Sequence, residues 1–273
     1  MTVFAAIQLN SGPEVAANLA IAGSLLREAR ETGAEVALLP ENFNFMGGRD
    51  LDKRGIAETF GAGPTQDFLA RTAAGLGLWI IAGTQPLKSA ADEGKVTNSC
   101  LVYDAAGRNV ARYDKIHLFD VDVPEKPSET YRESAHVAPG REVVLIGTPA
   151  GRVGLSVCYD MRFPELYRRL SAAGAEILVV PAAFTVPTGR AHWETLLRAR
   201  AVENLCYVVA AAQTGLHANG RETYGDSLII DYWGRVLTRL PRGSGVIRAD
   251  IGRAARAATR AGFPSLSHRV FQS

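Results

Sequence analysis

Short apolar runs of strand length alternate with amphipathic stretches of helix length along almost the whole chain. The runs occupy residues 3–9, 36–39, 78–83, 153–157, 177–181 and 207–213. Helix-length stretches with apolar residues on a helical period occupy residues 13–32, 164–173 and 192–204. Strands buried on both faces are continuous apolar runs, and helices between them cover those faces. With two hairpin turns, at residues 105–108 and 233–235, the alternation predicts an α/β fold with mixed sheets.

The same pattern predicts one domain. The 273 residues would allow two domains of ordinary size. However, no stretch has the composition of a linker, a charge block or a low-complexity segment. We therefore expect a single domain over residues 1–273, with a core over residues 3–250 and a C-terminal helix and tail over residues 251–273.

Composition excludes several classes of protein. Lys and Arg number 30 and Asp and Glu number 28, so a net charge of +2 gives no basic field for nucleic acid. The apolar runs are far shorter than the ~20 residues of a membrane span, and the N-terminus lacks the features of a signal peptide. We expect a cytoplasmic protein with reduced thiols and no membrane or nucleic-acid partner. The histidines and cysteines lack zinc-site spacings, so we expect no metal and no cofactor.

Three reactive side chains stand where predicted strands end: Glu41 after residues 36–40, Lys115 after residues 109–114 and Cys158 after residues 153–157. Each has an ordinary structural explanation, because a glutamate after proline often caps a helix and a cysteine is often a small buried hydrophobe. Ligands of α/β sheets bind beyond the strand ends. Together the three residues supply a base, a cation and a nucleophile, which is the set that acyl transfer requires.

Cys158 differs from the other two cysteines in its surroundings. It is followed by YDMRFPE, and a sharp turn there would expose the sulfur and direct the next backbone N–H groups at one point. Charged neighbours are expected to lower the pKa of its thiol. Cys100 and Cys206 lie in the apolar contexts NSCLVY and ENLCYVV, which favours inert packing. Residues 116–139, with three prolines and no clear period, are predicted to be a functional loop.

The motifs LLPENF, RYDKIHLFD and GLSVCYDMRFPELYR resemble those of the nitrilase superfamily, the carbon–nitrogen hydrolases. The resemblance extends from residue 3 to about residue 250. It implies a four-layer α-β-β-α sandwich and a catalytic triad of Glu41, Lys115 and Cys158. A second glutamate near the site would be Glu133. Homodimers or larger homo-oligomers are also implied.

Further motifs narrow the resemblance to one branch of the family. KIHLFDVDVP, ESAHVAPG, AHWETLLRARAVEN and YGDSLIID resemble most the amidases of deaminated glutathione. The ω-amidases of α-ketoglutaramate share the first motifs and match AHWETLLRARA less closely. The resemblance implies that Arg162, Phe184 and Thr188 contact the keto-acid end of the substrate. Alternatively, Arg162 pairs with Asp160 or Glu165 and only orders the turn.

The expected reaction is hydrolysis of a small carboxylate-bearing amide by water through a thioester. Cys158 would attack the carbonyl carbon while Glu41 takes its proton. The ammonium group of Lys115 and the backbone N–H of Tyr159 would stabilise the oxyanion. Glu133 would position the lysine or the substrate amide. A binding protein that keeps the fold without catalysis is the alternative, and the presence of all three triad residues counts against it.

Overall fold

The first strand of the chain is covered on both of its faces. In β1 (Thr2–Gln8), Phe4 and Ala6 belong to one core cluster, whereas Ala5 and Ile7 belong to another, and all four are fully buried. Successive side chains of a strand point to opposite faces. A strand with apolar side chains on both faces therefore requires a second layer on each side of its sheet.

The structure, a computed structural model, describes residues 1–123 and 130–271. In its first half the further strands are β2 (Val36–Leu38), β3 (Trp79–Ile81), β4 (Gln85–Lys88), β5 (Val96–Tyr103), β6 (Asn109–Asp114), β7 (Asp120–Asp122) and β8 (Thr130–Arg132). The second half contributes β9 (Leu145–Thr148), β10 (Gly151–Leu155), β11 (Ile177–Ala182), β12 (Tyr207–Ala212), β13 (Thr214–Leu216), β14 (Glu222–Tyr224), β15 (Ser227–Ile230), β16 (Val236–Leu240) and β17 (Gly245–Ile251). The α-helices are α1 (Val15–Glu31), α2 (Pro64–Leu76), α3 (Pro164–Ala172), α4 (Val186–Asn204) and α5 (Arg253–Gly262).

Two mixed sheets form the centre of the molecule. The first has the strand order β17-β1-β2-β3-β5-β4, with β6 also paired to β5, and its strands β1, β2 and β3 are parallel. The second has the order β16-β15-β12-β11-β10-β9, with β10, β11 and β12 parallel. The remaining pairs are antiparallel, as the hairpin turns of the sequence predict.

Helices cover the outer face of each sheet. Helices α1 and α2 pack on the first sheet through Leu26 and Leu69, and α3 and α4 pack on the second. Leu38 of the first sheet lies in the same core cluster as Val179 and Val209 of the second, so the two sheets face each other. Full burial of such a side chain contributes about 1.5–3 kcal/mol. The four-layer α-β-β-α sandwich is thus confirmed.

The two sheets are joined at the edge where their parallel strands end. After β1, the Leu9 amide donates to the Ala212 carbonyl at 3.3 Å, and the Thr214 amide donates to the Leu9 carbonyl at 2.8 Å. These bonds connect the C-terminal end of β1 to that of β12. Residues that follow the parallel strands of either sheet are therefore brought to one common edge.

Several element boundaries differ from the sequence prediction. Helix α4 begins at Val186, six residues before the predicted start, because Pro187 is compatible with the first turn of a helix. Thr188 consequently lies in that first turn. Residues 116–139 are not structureless: they contain β7, β8 and a 3₁₀ turn at Glu133–Ala135, and residues 124–129 lie outside the described part.

Candidate active site

Glu41 follows β2 through a tight turn at the common edge of the sheets. The turn places Asn42 at φ 57°, and the Asn42 amide donates to the Thr84 hydroxyl at 2.9 Å. Gly83 makes this turn possible, because a Cβ there would lie 1.9 Å from the Pro40 carbonyl oxygen. Glu41 is 4% exposed, so its carboxylate has little access to bulk water.

Lys115 follows β6, which is antiparallel to β5 in the first sheet, and its ammonium group reaches the carboxylate of Glu41. Its Nζ lies 3.0 Å from Oε1 of Glu41 and 2.8 Å from Oε2 of Glu133, and its side chain is 2% exposed. The backbone at Lys115 is fixed by Gly140, whose amide donates to the Lys115 carbonyl at 2.9 Å. One buried ammonium group therefore bridges two carboxylates.

Two further groups orient these carboxylates. Nδ2 of Asn98, on β5, lies 3.0 Å from Oε1 of Glu41 and 3.4 Å from Oε1 of Glu133. The backbone amide of Ala183, just after β11, donates to Oε2 of Glu41 at 3.0 Å. Both oxygens of Glu41 are thus held in place. Sequence reasoning missed Asn98, although a buried asparagine within an apolar strand is an available signal.

Cys158 lies three residues beyond the end of β10, at the first position of a 3₁₀ turn (Cys158–Arg162). Its φ of 50° is in the left-handed region, which is uncommon for any residue other than glycine and is a form of strain typical of functional sites. The predicted sharp turn is present. The prediction that the turn exposes the sulfur was wrong, since Cys158 is only 7% accessible.

The pKa of Cys158 is shifted in the opposite direction from the sequence prediction. Burial and the charge of Glu41 raise it, and they outweigh Lys115 and the Ala183 amide, which lower it. The resting group is therefore a thiol rather than a thiolate, and the expectation of a lowered pKa was wrong. A thiol in this state requires a base to remove its proton.

The charges of Lys115 and Glu133 support each other. Burial by itself would lower the pKa of Lys115, but Glu133 and Glu41 outweigh it and hold that pKa well above the ordinary value. Burial would likewise raise the pKa of Glu133, and the ammonium groups of Lys115 and Lys53 lower it instead. The Phe119 amide adds a 2.7 Å hydrogen bond to Oε2 of Glu133. Lys115 is thus a permanent cation.

Asp160 joins the turn of Cys158 to the strand of Lys115. Its fully buried carboxylate accepts hydrogen bonds from the Tyr113 hydroxyl at 2.6 Å, the Val157 amide at 2.8 Å and the His117 amide at 3.0 Å. Nδ1 of His117 lies 2.7 Å from the same carboxylate, and the His117 ring stacks on Phe163 with centroids 3.7 Å apart. In the sequence, the only indication that Asp160 has a role in the site is that it lies two residues after Cys158.

A cleft of about 510 Å³, partly open to solvent, lies in front of these groups. All four predicted catalytic residues line it, as do Tyr159, Phe184 and Thr188. Arg162 does not. Its guanidinium carbon lies 5.7 Å and 5.5 Å from the ring centroids of Tyr159 and Phe184, and Nη1 lies 3.2 Å from Nδ1 of His192.

The alternative partners expected for Arg162 are not observed. Within the described residues, neither Asp160 nor Glu165 forms an ion pair with it. Arg162 therefore contacts the rings that line the cleft from behind.

Lys53 and Arg221 also line the cleft, and sequence reasoning missed both. They lie on surface loops, Lys53 in the 3₁₀ turn Asp50–Arg54 and Arg221 just before β14. A charged residue in a polar loop carries no sequence signal that distinguishes it from a solvated one.

The other two cysteines are inert packing residues, as predicted. Both are fully buried; burial raises the pKa of Cys100 to about 12 and also raises that of Cys206. Within residues 1–123 and 130–271, no three His, Cys, Asp or Glu side chains are grouped so as to hold a metal ion. In the same part of the chain, no helix combines the length and apolar character needed to cross a bilayer.

Comparison with known proteins places these features in a family. The family model described as carbon–nitrogen hydrolase matches residues 4–261. The chain is 45% identical over 269 residues to a protein of Synechocystis sp. named deaminated glutathione amidase, covering 98% of this chain and 97% of that protein. It is 39% identical over 271 residues to the human protein of the same name, covering 98% of this chain and 82% of that protein.

A solved structure shows the same fold. The crystal structure of the NitFhit protein of Caenorhabditis elegans has a TM-score of 0.90 and 36% identity, and the match covers 98% of this chain and 65% of that longer chain. Glu41, Lys115 and Cys158 lie within the residues that the family model matches. The chain therefore belongs to the carbon–nitrogen hydrolase family.

Proposed function

We propose that this chain hydrolyses deaminated glutathione, a small amide with a carboxylate at each end, through a thioester on Cys158. The observation that carries the proposal is the bridge formed by Lys115, whose ammonium group lies 3.0 Å from Glu41 and 2.8 Å from Glu133 beside the cysteine. A base, a cation and a nucleophile then line one cleft.

In the first half of the reaction, the Cys158 sulfur attacks the amide carbonyl carbon. Its raised pKa means that the proton must be removed as the bond forms, and Glu41 is the base in reach. The carbonyl oxygen becomes negative, and the Lys115 ammonium group and the Tyr159 backbone N–H stabilise it. Glu41 then returns the proton to the departing nitrogen, the carbon–nitrogen bond breaks, and the amine leaves.

In the second half, water hydrolyses the thioester. Glu41 removes a proton from the water as its oxygen attacks the acyl carbon, and the same cation stabilises the second oxyanion. The carbon–sulfur bond breaks, Cys158 regains its proton, and the acid product leaves. One carboxylate thus acts twice, and the three hydrogen bonds that it accepts from Asn98, Lys115 and Ala183 keep its position fixed between the steps.

Glu133 acts on the reaction through Lys115. Its Oε2 accepts hydrogen bonds from both the lysine at 2.8 Å and the Phe119 amide at 2.7 Å, so it fixes where the ammonium group points. It also keeps the lysine protonated, as the raised pKa of Lys115 requires. We therefore assign Glu133 a positioning role and place the substrate amide against the cation that it orients.

The keto-acid end of the substrate is assigned to the side of the cleft formed by Phe184 and Thr188. Thr188 lies in the first turn of α4, where free backbone N–H groups favour an anion. Arg162 stacks behind Phe184 and Tyr159, so it supports this wall and adds positive charge behind it.

The choice of substrate follows from the relatives. Proteins named deaminated glutathione amidase are 39% and 45% identical to this chain over 98% of its length. The second candidate is α-ketoglutaramate, which has the same acyl group and releases ammonia instead of cysteinylglycine. Both would form the same thioester, so the two candidates differ only in the leaving group.

The test compares kcat/KM for the two substrates by measuring the release of the common product, α-ketoglutarate. We expect a higher value for deaminated glutathione, with the Cys158→Ala variant as the blank. Equal or reversed values would make the chain an ω-amidase instead. Wild-type rates no higher than those of the variant with either substrate would support the alternative of a binding protein without catalysis.

The remaining expectations concern the setting in which the protein works. Because Glu41 and Lys115 follow strands of the first sheet and Cys158 follows a strand of the second, we infer that residues 1–273 act as one domain. We further propose a homodimer or larger homo-oligomer in the cytoplasm. Light scattering of the purified protein tests the oligomeric state, and cell fractionation tests the cytoplasmic location.

A further inference from the structure

Two cations at the rim of the cleft form no ion pair within the described residues. Lys53 and Arg221 both line the cleft, and neither forms an ion pair with any carboxylate in the part of the chain that the structure describes. Lys115, in contrast, is matched by Glu41 and Glu133. The deep part of the cleft therefore carries a net charge of −1, and Lys53 and Arg221 change the total to +1. A substrate with two carboxylates requires that change.

Arg221 is oriented for a ligand by groups that do not neutralise it. One Nη donates to the Ala183 carbonyl, and the guanidinium carbon lies 5.1 Å from the centroid of the Tyr131 ring. Its Nε is buried and has no hydrogen-bond partner within the described residues. Buried donors are normally satisfied, so this one indicates an acceptor that arrives with the substrate.

The loops that carry the two cations are connected to each other. Nδ2 of Asn219 donates to the Gly47 carbonyl at 2.9 Å, which joins the turn before Arg221 to the segment that leads to Lys53. Both cations are half-buried, whereas the neighbouring Asn219 and Arg54 are exposed. The pair therefore lies toward the open side of the cleft, away from the fully enclosed Lys115.

We propose that Lys53 and Arg221 form a subsite for the carboxylate of the leaving group. The inference rests on the proposed function and deepens it. The acyl group stays on Cys158 during the reaction while the amine departs, so the leaving group must lie toward the open side. In deaminated glutathione that group is cysteinylglycine, which ends in a carboxylate. A planar guanidinium group and a flexible ammonium group together suit such an anion.

The experiment uses three substrates with the same acyl group: deaminated glutathione, its C-terminal amide and α-ketoglutaramate. Only the first has a carboxylate on its leaving group. The Lys53→Met variant is expected to lower kcat/KM for deaminated glutathione about ten-fold more than for the other two substrates, the effect of losing one charge-assisted contact to the leaving group. Any effect through the charge of Glu133 is common to all three substrates and cancels in this ratio. Arg54→Met, on the same turn but outside the cleft lining, is the matched control and should behave as wild type.

Arg221→Gln is the second variant. It should also reduce the preference for the acid over the C-terminal amide, although the loss of its bond to Ala183 can slow all three substrates. The wild-type enzyme also tests the subsite. Its kcat/KM for deaminated glutathione should exceed that for the C-terminal amide about ten-fold or more, and added salt should reduce that ratio.

The outcomes separate the two claims. If the wild type hydrolyses deaminated glutathione but does not distinguish the acid from the amide, the subsite is contradicted and the proposed function stands. Equal losses on all three substrates in Lys53→Met would also contradict it, because Lys53 would then act on a part of the reaction that the three substrates share, such as the charge of Glu133. A wild type inactive toward every substrate would overturn the proposed function and the subsite together.

Discussion

The Tyr113 hydroxyl donates a 2.6 Å hydrogen bond to the Asp160 carboxylate, and this bond connects the two sheets beside the catalytic groups. Tyr113 lies on β6 of the first sheet, two residues before Lys115, and Asp160 lies in the 3₁₀ turn that follows β10 of the second sheet, two residues after Cys158. Asp160 also holds Val157 at the start of the nucleophile turn. A hydrogen bond that involves neither the cation nor the sulfur therefore ties together the two segments that carry them.

Replacement of Asp160 by asparagine should slow the reaction without removing any reacting group. The amide keeps one acceptor oxygen but loses its second, so we expect kcat to fall about 10-fold to 100-fold with KM changed little, and stability to fall by about 1–3 kcal/mol. Because a purely structural role would not affect thiol reactivity, the rate of Cys158 alkylation should change as well.

The control for Asp160 is Asp122→Asn, which removes an exposed carboxylate paired with Arg132. Exposed ion pairs contribute little, so its kcat and Tm should match those of the wild type. A wild-type kcat and alkylation rate in Asp160→Asn would contradict the positioning role.

Glu41→Gln should reduce kcat by about 10²-fold to 10⁴-fold, because the reaction loses its general base and acid while the shape of the side chain is kept. The same change removes a negative charge that raises the pKa of Cys158, whereas Lys115 still lowers it. The thiol should therefore react with iodoacetamide at lower pH in the variant than in the wild type. Glu142→Gln, at an exposed position, is the control. An alkylation profile shifted to higher pH would contradict this assignment of charges.

The triad could be predicted from the sequence because each member follows a strand. An apolar run that stops at a charged or nucleophilic residue marks both the strand and the reactive group at its end, as for Glu41 after β2 and Cys158 after β10. Buried strands are recognisable from their composition, and parallel strands bring their ends to one edge. Lys115 follows an antiparallel strand, so the meeting of all three side chains was implied by the resemblance to the family and not by the strand pattern.

Other parts of the site depend on contacts between residues far apart in sequence. Asn98 meets Glu41 across 57 positions, and Asp160 meets Tyr113 across 47, so neither partner follows from a local pattern. The direction of the Cys158 pKa shift was predicted wrongly because it depends on burial, which local charge does not reveal. Arg221 was missed for the same reason: only the fold brings its loop to the cleft.

Glu133→Gln should change how stability depends on pH. In the folded state the pKa of Glu133 lies below its ordinary value of 4.5: burial would raise it, but Lys115, Lys53 and the hydrogen bond from the Phe119 amide together outweigh burial. Such a group stabilises the protein above its unfolded pKa, and this contribution is lost as the pH falls through the folded pKa. Between about pH 5 and lower values, the free energy of unfolding should fall less steeply in the variant than in the wild type. Parallel curves from urea unfolding at each pH would contradict the pairing with Lys115.

Gly83→Ala should damage the site by displacing Glu41. Besides the positive φ of 52°, the new Cβ would lie 1.9 Å from the Pro40 carbonyl oxygen, so backbone must move. We expect a loss of more than about 2 kcal/mol in stability and a lower kcat.

Gly77→Ala is the matched control, since its φ of 59° is similar and no atom lies within 4 Å of the added Cβ. It should cost only the strain of the left-handed backbone, about 1 kcal/mol, and leave kcat unchanged. Equal effects of the two alanines on urea unfolding and on kcat would show that the contact with Pro40 does not position Glu41.

The most direct test of the account is mass spectrometry of the intact protein, quenched in acid within the first turnover of deaminated glutathione. The account predicts a covalent adduct with the mass of the α-ketoglutaryl group, on the peptide that contains Cys158, and none in Cys158→Ala. An adduct on Cys100 or Cys206, or full hydrolysis by the Cys158→Ala variant, would contradict it.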